Sequence, residues 1–121
     1  MMSLYENIDI DFELKDARGQ LVQLIHGGYS QVNVLETKMG VNRGGHFHKI
    51  CHEAFYIVDG KVEVTLKKGE LTEKVIFGAK DFFRINPLIT HSMYFLTDCL
   101  MVQMYDVPIE MDNGQKDIYT E

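Results

Sequence analysis

The chain has few of the features that mark secreted, nucleic-acid-binding or membrane-spanning proteins. It contains 2 cysteines in 121 residues, too few for the disulfide framework of a secreted mini-domain. Its formal net charge is -6, and its basic residues do not cluster beyond the pair Lys67 and Lys68, which argues against binding to a phosphate backbone. No apolar run approaches the length of a membrane-spanning helix. We therefore expect a protein that binds neither nucleic acid nor membranes.

The first residues also lack the features of a secretory signal, because they have neither a basic start nor a long apolar run. A soluble, cytoplasmic protein is the expectation. A length of 121 residues suits one domain with one modest core, and no internal repeat or low-complexity segment divides it. We predict a single domain over residues 1–121.

Short apolar or alternating runs, separated by glycine and aspartate, follow one another along the chain. No segment has helical periodicity, and the spacing of the runs is typical of an all-β sandwich or barrel. Apolar and polar residues alternate from Ile8 to Lys15, which predicts a half-buried strand that ends in a turn at Asp16–Gly19. The other predicted strands are Leu21–Ile25, Gln31–Lys38, Glu53–Val58, Lys61–Lys67, Glu73–Phe77, Asp81–Ile85, His91–Leu96 and Leu100–Tyr105.

An Asp-Gly pair, Asp59 and Gly60, lies between two of these β-rich segments. Such a pair predicts a tight hairpin with a positive φ at the turn. Counting from the turn places alternate residues on an inward face, and Glu53 opens this row. The predicted inward residues are Glu53, Phe55, Ile57, Val62, Val64 and Leu66.

Two histidines only two residues apart, His46 and His48, point their rings to the same face of an extended strand. Glu53 follows after four residues, and a strand running back beside the first would bring its carboxylate to the same point. Imidazole and carboxylate are donors that first-row transition metals prefer. The residues thus predict a site for one divalent cation, while Cys51 and His52 are interpreted as residues of the turn or rim.

These donors, with two flanking glycines, resemble the first motif of the cupin superfamily. That motif reads Gly-x5-His-x-His-x4-Glu-x6-Gly, and the chain matches it at every specified position over residues 40–60. The matching residues are Gly40, His46, His48, Glu53 and Gly60.

A looser second motif occupies residues 80–95. A common family version is Gly-Asp-x4-Pro-Pro-Gly-x-x-His, and Asp81, Pro87 and His91 match it. Two glycines and one proline of that version are absent, and Phe95 stands where the family has asparagine. His91 is placed to supply a third imidazole. The loop before it is predicted to follow a different backbone path from the usual Pro-Gly turn.

The resemblance implies an all-β, cupin-type jelly-roll barrel in which the metal ligands are His46, His48, Glu53 and His91. Neutral imidazoles and one carboxylate leave a divalent ion with a net charge of about +1, which suits an anionic oxygen pair such as an enediolate. The donor set does not distinguish zinc, manganese, iron, nickel, cobalt or copper.

The segments Asp16–Leu21 and Arg43–Lys49 resemble a narrower group, the nucleotide-sugar 3,4-ketoisomerases and deoxysugar epimerases. The signature of these small cupins is Arg-Gly-x-His-x-His-Lys. The resemblance implies that their histidines act as acid and base on a keto-sugar, generally without a metal. Their next strand does not usually carry the glutamate, so Glu53 is a departure that argues for a metal here. The candidate substrate-binding residues are Arg43, Lys49 and Gln103.

The residues leave three functions open. The first is an isomerase or epimerase of a carbohydrate-like, nucleotide-sugar carbonyl substrate, in which the cation stabilises an enediolate. The second is a non-catalytic cupin that binds a metabolite, and the third is a metal-dependent dioxygenase that holds a diol. Each implies a small-molecule substrate or ligand.

Two further expectations concern the outside of the barrel. An apolar sheet face with no helix to cover it predicts a homodimer, with Tyr56, Val58 and either Leu100 or Met101 at the interface. The acidic tail from Asp106 onward is expected either to lie along the barrel or to reach a second subunit.

Overall fold

A computed structural model describes residues 3–120 of the chain. All regular structure within this range is β-strand, which confirms the predicted all-β class. The strands are β1 (Glu6–Asn7), β2 (Phe12–Asp16), β3 (Gly19–Gln23), β4 (Gln31–Thr37), β5 (Asn42–His46), β6 (Glu53–Asp59), β7 (Lys61–Lys68), β8 (Leu71–Gly78), β9 (Phe82–Ile85), β10 (Thr90–Phe95) and β11 (Cys99–Tyr105). Within residues 3–120, no helix has the length and apolar character needed to cross a bilayer. The cytoplasmic location stays a prediction.

Two antiparallel sheets enclose the core. The 5-stranded sheet has the order β1-β9-β6-β11-β4, and the 4-stranded sheet has the order β5-β10-β7-β8. Alternate residues of β6 and β7 point into the core, since Phe55 and Ile57 pack with Val62, Val64 and Leu66 in one buried cluster. The predicted inward row is confirmed, and it carries Glu53 into the interior with it.

The predicted hairpin at Asp59 and Gly60 is wrong. Gly60 has the expected positive φ of 103°, but β6 pairs with β9 and β11 while β7 pairs with β8 and β10. The turn therefore passes the chain from one sheet to the other. A Cβ at this corner would lie 2.3 Å from the Asp98 carbonyl oxygen, so glycine is required by a close backbone approach as well as by φ.

The predicted half-buried strand from Ile8 to Lys15 is also corrected. Strand β2 begins only at Phe12 and pairs with β3 across the predicted Asp16–Gly19 turn, which is confirmed. Within residues 3–120 the two strands form a sheet of their own, paired with neither of the larger sheets, and Phe12 is 51% exposed. Ile8 instead packs, with other residues near it in sequence, on the outer face of the 5-stranded sheet.

This packing changes the predicted dimer surface. Tyr56 is buried against the N-terminal segment, residues 8–29, since Ile8 and Tyr29 are among the partly buried residues packed on its cluster, and Met101 points into the core. Neither is available to a second subunit. Val58 is exposed and Leu100 is half-buried. The homodimer itself stays a prediction.

The acidic tail lies along its own barrel. The backbone N–H of Phe47 donates to the Tyr119 carbonyl at 2.9 Å, and the N–H of Tyr119 donates to the Phe47 carbonyl at 3.0 Å. The N–H of Asp117 donates to the Ile109 carbonyl at 2.9 Å. The tail thus pairs with the residue that separates the two motif histidines.

Candidate metal centre

The four candidate metal ligands come together between the two sheets. His46 ends β5, His91 lies on the neighbouring β10, and Glu53 begins β6 in the opposite sheet. His48 lies in the connection between β5 and β6. One donor atom from each of His46, His48, Glu53 and His91 lies within 4.8 Å of the others.

A glycine before the first histidine lets β5 approach β10 closely. Gly44 has φ of 95°, and a Cβ there would lie 2.8 Å from the carbonyl oxygen of His91. The pairing of β5 with β10 shifts register between His91 and Ser92, beside this contact. Any larger residue at position 44 would push His46 away from His91, so the glycine of the Arg-Gly-x-His-x-His-Lys signature has a steric cause here.

Glu53 lies at the centre of the cluster. Its side chain is 1% exposed, and Oε1 lies 2.9 Å from Nε2 of His91 and 3.0 Å from Nε2 of His48. Its other oxygen, Oε2, accepts a hydrogen bond from Nε2 of Gln103 at 2.5 Å. Burial raises the pKa of Glu53, but the hydrogen bonds from His48 and His91 outweigh it and hold the pKa below its ordinary value. The carboxylate is therefore ionised.

Two of the imidazoles are oriented by backbone carbonyls. Nδ1 of His48 donates to the carbonyl oxygen of Asp117 at 2.6 Å, and Nδ1 of His91 donates to that of Ile89 at 3.2 Å. Since a carbonyl only accepts, Nδ1 is protonated in both rings, and a hydrogen bond from Nε2 to the Glu53 carboxylate requires a second proton, which a bound metal ion would replace. Each ring consequently presents Nε2 to Glu53. Ligating histidines are held in this way by groups behind them.

The pKa values of His46 and His48 shift in opposite directions. Burial, together with the charge of His91, lowers the pKa of His46 to about 4, so this ring is neutral at pH 7. For His48 burial also lowers the pKa, but the hydrogen bond to Glu53, the negative charge of Glu53 and the contacts with Asp117 together outweigh it, and the net pKa is raised.

One divalent transition metal ion fits these donors. The carboxylate is ionised, and the His48 and His91 rings turn the same nitrogen inward. Imidazole and carboxylate donors in this number suit zinc, manganese, iron, cobalt, nickel or copper. His46, His48, Glu53 and His91 would hold the ion, and its presence stays a prediction.

A cavity of about 230 Å³ opens beside the cluster, and His46, Glu53 and His91 form part of its wall. Gln103 and Arg43 supply further polar groups. The remaining large side chains are apolar: Leu35, Phe55, Met93 and Met101.

Of the three candidate substrate-binding residues, two line the cavity and one lies outside it. Arg43 lines the cavity, where its Nε donates to Oγ1 of Thr37 at 2.8 Å. Gln103 also lines the cavity, but its amide is bonded to Glu53 on one side and to Asn33 on the other. Lys49 lies outside this cavity, with its Nζ 4.1 Å from the centre of the Tyr119 ring. The roles of all three in binding stay predictions.

The loop before His91 contains one residue in a glycine-like backbone conformation. Leu88 stands at a motif glycine position and has φ of 69°, in the left-handed region that favours glycine. Its N–H donates to the carbonyl of His48 at 2.7 Å, which holds the loop against the other metal-binding segment. The different path predicted for the loop as a whole stays a prediction.

Sequence reasoning missed Asp117. Its carboxylate and its carbonyl both contact the segment that carries His48. No local pattern marks it, because it is one of several acids in a tail without periodicity and its partners lie 66 to 69 residues away.

The chain matches the family model described as the polysaccharide biosynthesis C-terminal domain over residues 14–119. It belongs to this family. A search of curated protein sequences found no match to the chain.

Solved structures resemble this member of the family over most of its length. The sugar 3,4-ketoisomerase QdtA from Thermoanaerobacterium thermosaccharolyticum, in complex with TDP, has a TM-score of 0.83 at 20% identity, over 100% of this chain and 90% of that one. The RmlC epimerase from Mycobacterium tuberculosis has a TM-score of 0.70 at 16% identity, over 87% and 64%. The capsular polysaccharide assembling protein CapF from Staphylococcus aureus has a TM-score of 0.64 at 24% identity, over 90% and 32%. These likenesses confirm the predicted cupin-type jelly-roll fold.

Proposed function

We propose that this protein is an isomerase or epimerase of a nucleotide sugar, acting on a keto-sugar with one divalent metal ion held by His46, His48, Glu53 and His91. The observation that carries the proposal is the buried cluster of imidazoles around one ionised carboxylate, on the wall of a small cavity. Membership of a polysaccharide biosynthesis family supports a sugar substrate. The fold shared with solved ketoisomerases and epimerases supports the reaction class.

The size of the cavity indicates which part of the substrate it receives. Its volume of about 230 Å³ is smaller than the roughly 300–1,000 Å³ of pockets that enclose drug-sized ligands. It therefore suits a sugar ring, with the nucleotide outside. Arg43 donates from Nε to Thr37 and from Nη2 to the Glu36 carbonyl at 3.4 Å, and its remaining N–H groups suit the diphosphate of such a substrate, since guanidinium groups bind phosphate oxygens strongly.

The residues around the cavity would have different roles in the reaction. A bound divalent ion supplies electrostatic stabilisation of negative charge on a sugar oxygen. Gln103 holds one oxygen of Glu53 and thereby keeps the other directed at His48 and His91. Leu35, Met93 and the other apolar side chains of the cavity exclude water from the ring, which strengthens the electrostatic interactions within it.

A metal-free isomerase is the second candidate, and the arrangement of the histidines favours it specifically. Glu53 engages Nε2 of both His48 and His91, while His46 is half-buried and faces the cavity. His46 is thus the imidazole that a substrate would meet first. It could move a proton directly, as the resemblance to the 3,4-ketoisomerases implies.

Elemental analysis of protein purified without chelators tests the metal. We expect about one equivalent of a transition metal in the wild type and none in the His46→Ala/Glu53→Ala double variant, because the donors are removed. His26→Ala is the matched control, since this exposed histidine pairs with Asp11 outside the cluster. A wild type without metal, or a double variant that keeps it, contradicts the metal site.

Turnover of a panel of TDP-linked keto-sugars, followed by NMR with and without chelator, tests the activity. Product that forms only in metal-loaded protein supports the first candidate, and product that persists in chelator supports the second. Absence of any product removes both. Ligand-induced stabilisation without turnover would then indicate a binding protein, and oxygen consumption with diols would indicate a dioxygenase.

A further inference from the structure

A single buried acid of the tail, Asp117, binds the backbone that follows the second motif histidine. Its side chain is 1% exposed, and its carboxylate accepts hydrogen bonds from three successive backbone N–H groups. These belong to Lys49 at 2.9 Å, Ile50 at 2.9 Å and Cys51 at 2.8 Å. Such charge-assisted bonds are strong. They connect the tail firmly to the start of the segment between His48 and Glu53.

The main chain of the same residue contacts the ring of His48. The Asp117 carbonyl accepts the Nδ1 proton at 2.6 Å. The hydrogen bond that one ring nitrogen of a histidine makes fixes the orientation of the ring and determines which nitrogen is protonated. Here the carbonyl keeps the proton on Nδ1 and directs Nε2 towards Glu53.

We propose that Asp117 is a positioning residue for the candidate metal centre, acting through His48. The carboxylate anchors the tail on the Lys49–Cys51 backbone, and that anchoring sets the carbonyl where it orients the imidazole. The inference rests on the proposed function in that His48 is taken as a ligand. The tail is thereby a part of the site, although its sequence is remote from both motifs.

The competing explanation is that the carboxylate only closes the tail on the barrel. The tail has other attachments, namely the backbone pair of Phe47 and Tyr119 and the bond from Asp117 N–H to Ile109. A closing role would change the thermal stability. It would leave the state of the His48 ring and the affinity for metal unchanged.

The variant Asp117→Asn separates these explanations, with Asp112→Asn as the matched control because Asp112 is an exposed acid of the same tail. An amide has one acceptor oxygen, and its NH2 group would face backbone donors. We expect zinc affinity, measured by competition with a chelator, to fall about 10- to 100-fold in Asp117→Asn and to be unchanged in Asp112→Asn. Equal zinc affinity in wild type and Asp117→Asn would overturn the inference.

A second measurement needs no metal. In metal-free wild type, the buried Nδ1 proton of His48 should give a downfield NMR signal that exchanges slowly with water. We expect this signal to disappear or shift upfield in Asp117→Asn and to persist in Asp112→Asn. If the wild type binds no zinc, the metal site fails, and this signal still decides whether Asp117 orients His48. A signal unchanged in Asp117→Asn would refute the orienting role.

If Asp117→Asn does not fold, the wild type alone supplies the test. Coupling between two sites is reciprocal, so zinc bound at His48 should slow the exchange of the tail amides of Asp117 and Tyr119. Exchange that is unchanged when zinc is bound would show that the tail and the metal centre are independent.

Discussion

Lys80 and Leu88 adopt a backbone conformation that costs free energy for any residue with a Cβ. Their φ values are 75° and 69°, and the left-handed region is unfavourable by about 1–2 kcal/mol for such residues. Both are held there by short backbone hydrogen bonds, from Lys80 N–H to Ile57 at 2.7 Å and from Leu88 N–H to His48 at 2.7 Å. Tertiary structure thus imposes the conformation, and the side chains are not adapted to it.

Replacement of Lys80 by glycine should therefore stabilise the protein. We expect Lys80→Gly to raise the free energy of unfolding by about 0.5–1 kcal/mol, because relief of the strain exceeds the entropy that glycine loses on folding. The ion pair with Glu13 is long, at 3.9 Å, and exposed, so its loss costs little. Urea denaturation of Lys80→Gly and Lys80→Ala measures the effect. Lys80→Ala removes the same side chain but keeps the Cβ, and an equal gain in it would contradict the strain argument.

The candidate site could be predicted from the sequence as far as its donors follow short-range rules. The period of a strand places His46 and His48 on one face, and fixed spacing relates them to Glu53. Their predicted convergence matches the geometry of the structure. The bonds that orient the rings could not be predicted, since they depend on backbone carbonyls and on Asp117, whose position follows from the path of the whole chain.

At the scale of elements, the sequence indicates strands better than it indicates their partners. The Asp59-Gly60 pair predicts a tight turn of the chain, and Gly60 has the expected positive φ. Whether the chain then pairs with the strand before it or crosses to another sheet depends on contacts with β9, β10 and β11, which lie far along the chain. A local turn signal contains no information on those contacts.

Strand β1 is attached to the 5-stranded sheet in part by an ion pair that a fall in pH should weaken. Glu6 is opposite Arg84 in the register, and its Oε2 accepts from Nη2 of Arg84 at 2.6 Å. This hydrogen bond, with that from Asn86, lowers the pKa of Glu6 below its ordinary value of 4.5. Because the folded pKa is the lower one, the stabilisation is present above about pH 4.5 and is lost as the pH falls through the folded pKa.

The variant Glu6→Gln tests this pairing. At pH 7 we expect it to lose up to about 1 kcal/mol of unfolding free energy, as is usual for an exposed pair, and at pH 3 the difference from wild type should shrink towards zero. Chemical denaturation at both pH values measures it. Glu70→Gln, in the exposed turn between β7 and β8, is the control for loss of charge. A deficit that is the same at pH 3 and pH 7 would mean that the carboxylate charge is not involved.

At the scale of the whole molecule, the N-terminal segment covers only part of the outer face of the 5-stranded sheet. It packs over Ala54, Tyr56 and Phe82 but leaves Val32 and Val34 of β4 exposed, at 58% and 69%. Strand β4 is the last in the sheet order, so its outer edge pairs with no other strand of residues 3–120. An apolar strip beside an open edge favours association.

We expect two copies of the chain to pair over this strip, since burial of both valines removes apolar area that a monomer leaves in water. Size exclusion with light scattering should give twice the chain mass of 14.0 kDa for the wild type. It should give the mass of a single chain for Val34→Lys, because a lysine there would bring like charges together across a symmetric interface. Ile76→Lys is the control: Ile76 is 58% exposed but lies on β8 in the other sheet, so its dimer should persist. A monomeric wild type would remove the homodimer, and a dimer that Ile76→Lys disrupts while Val34→Lys does not would move the interface to the 4-stranded sheet.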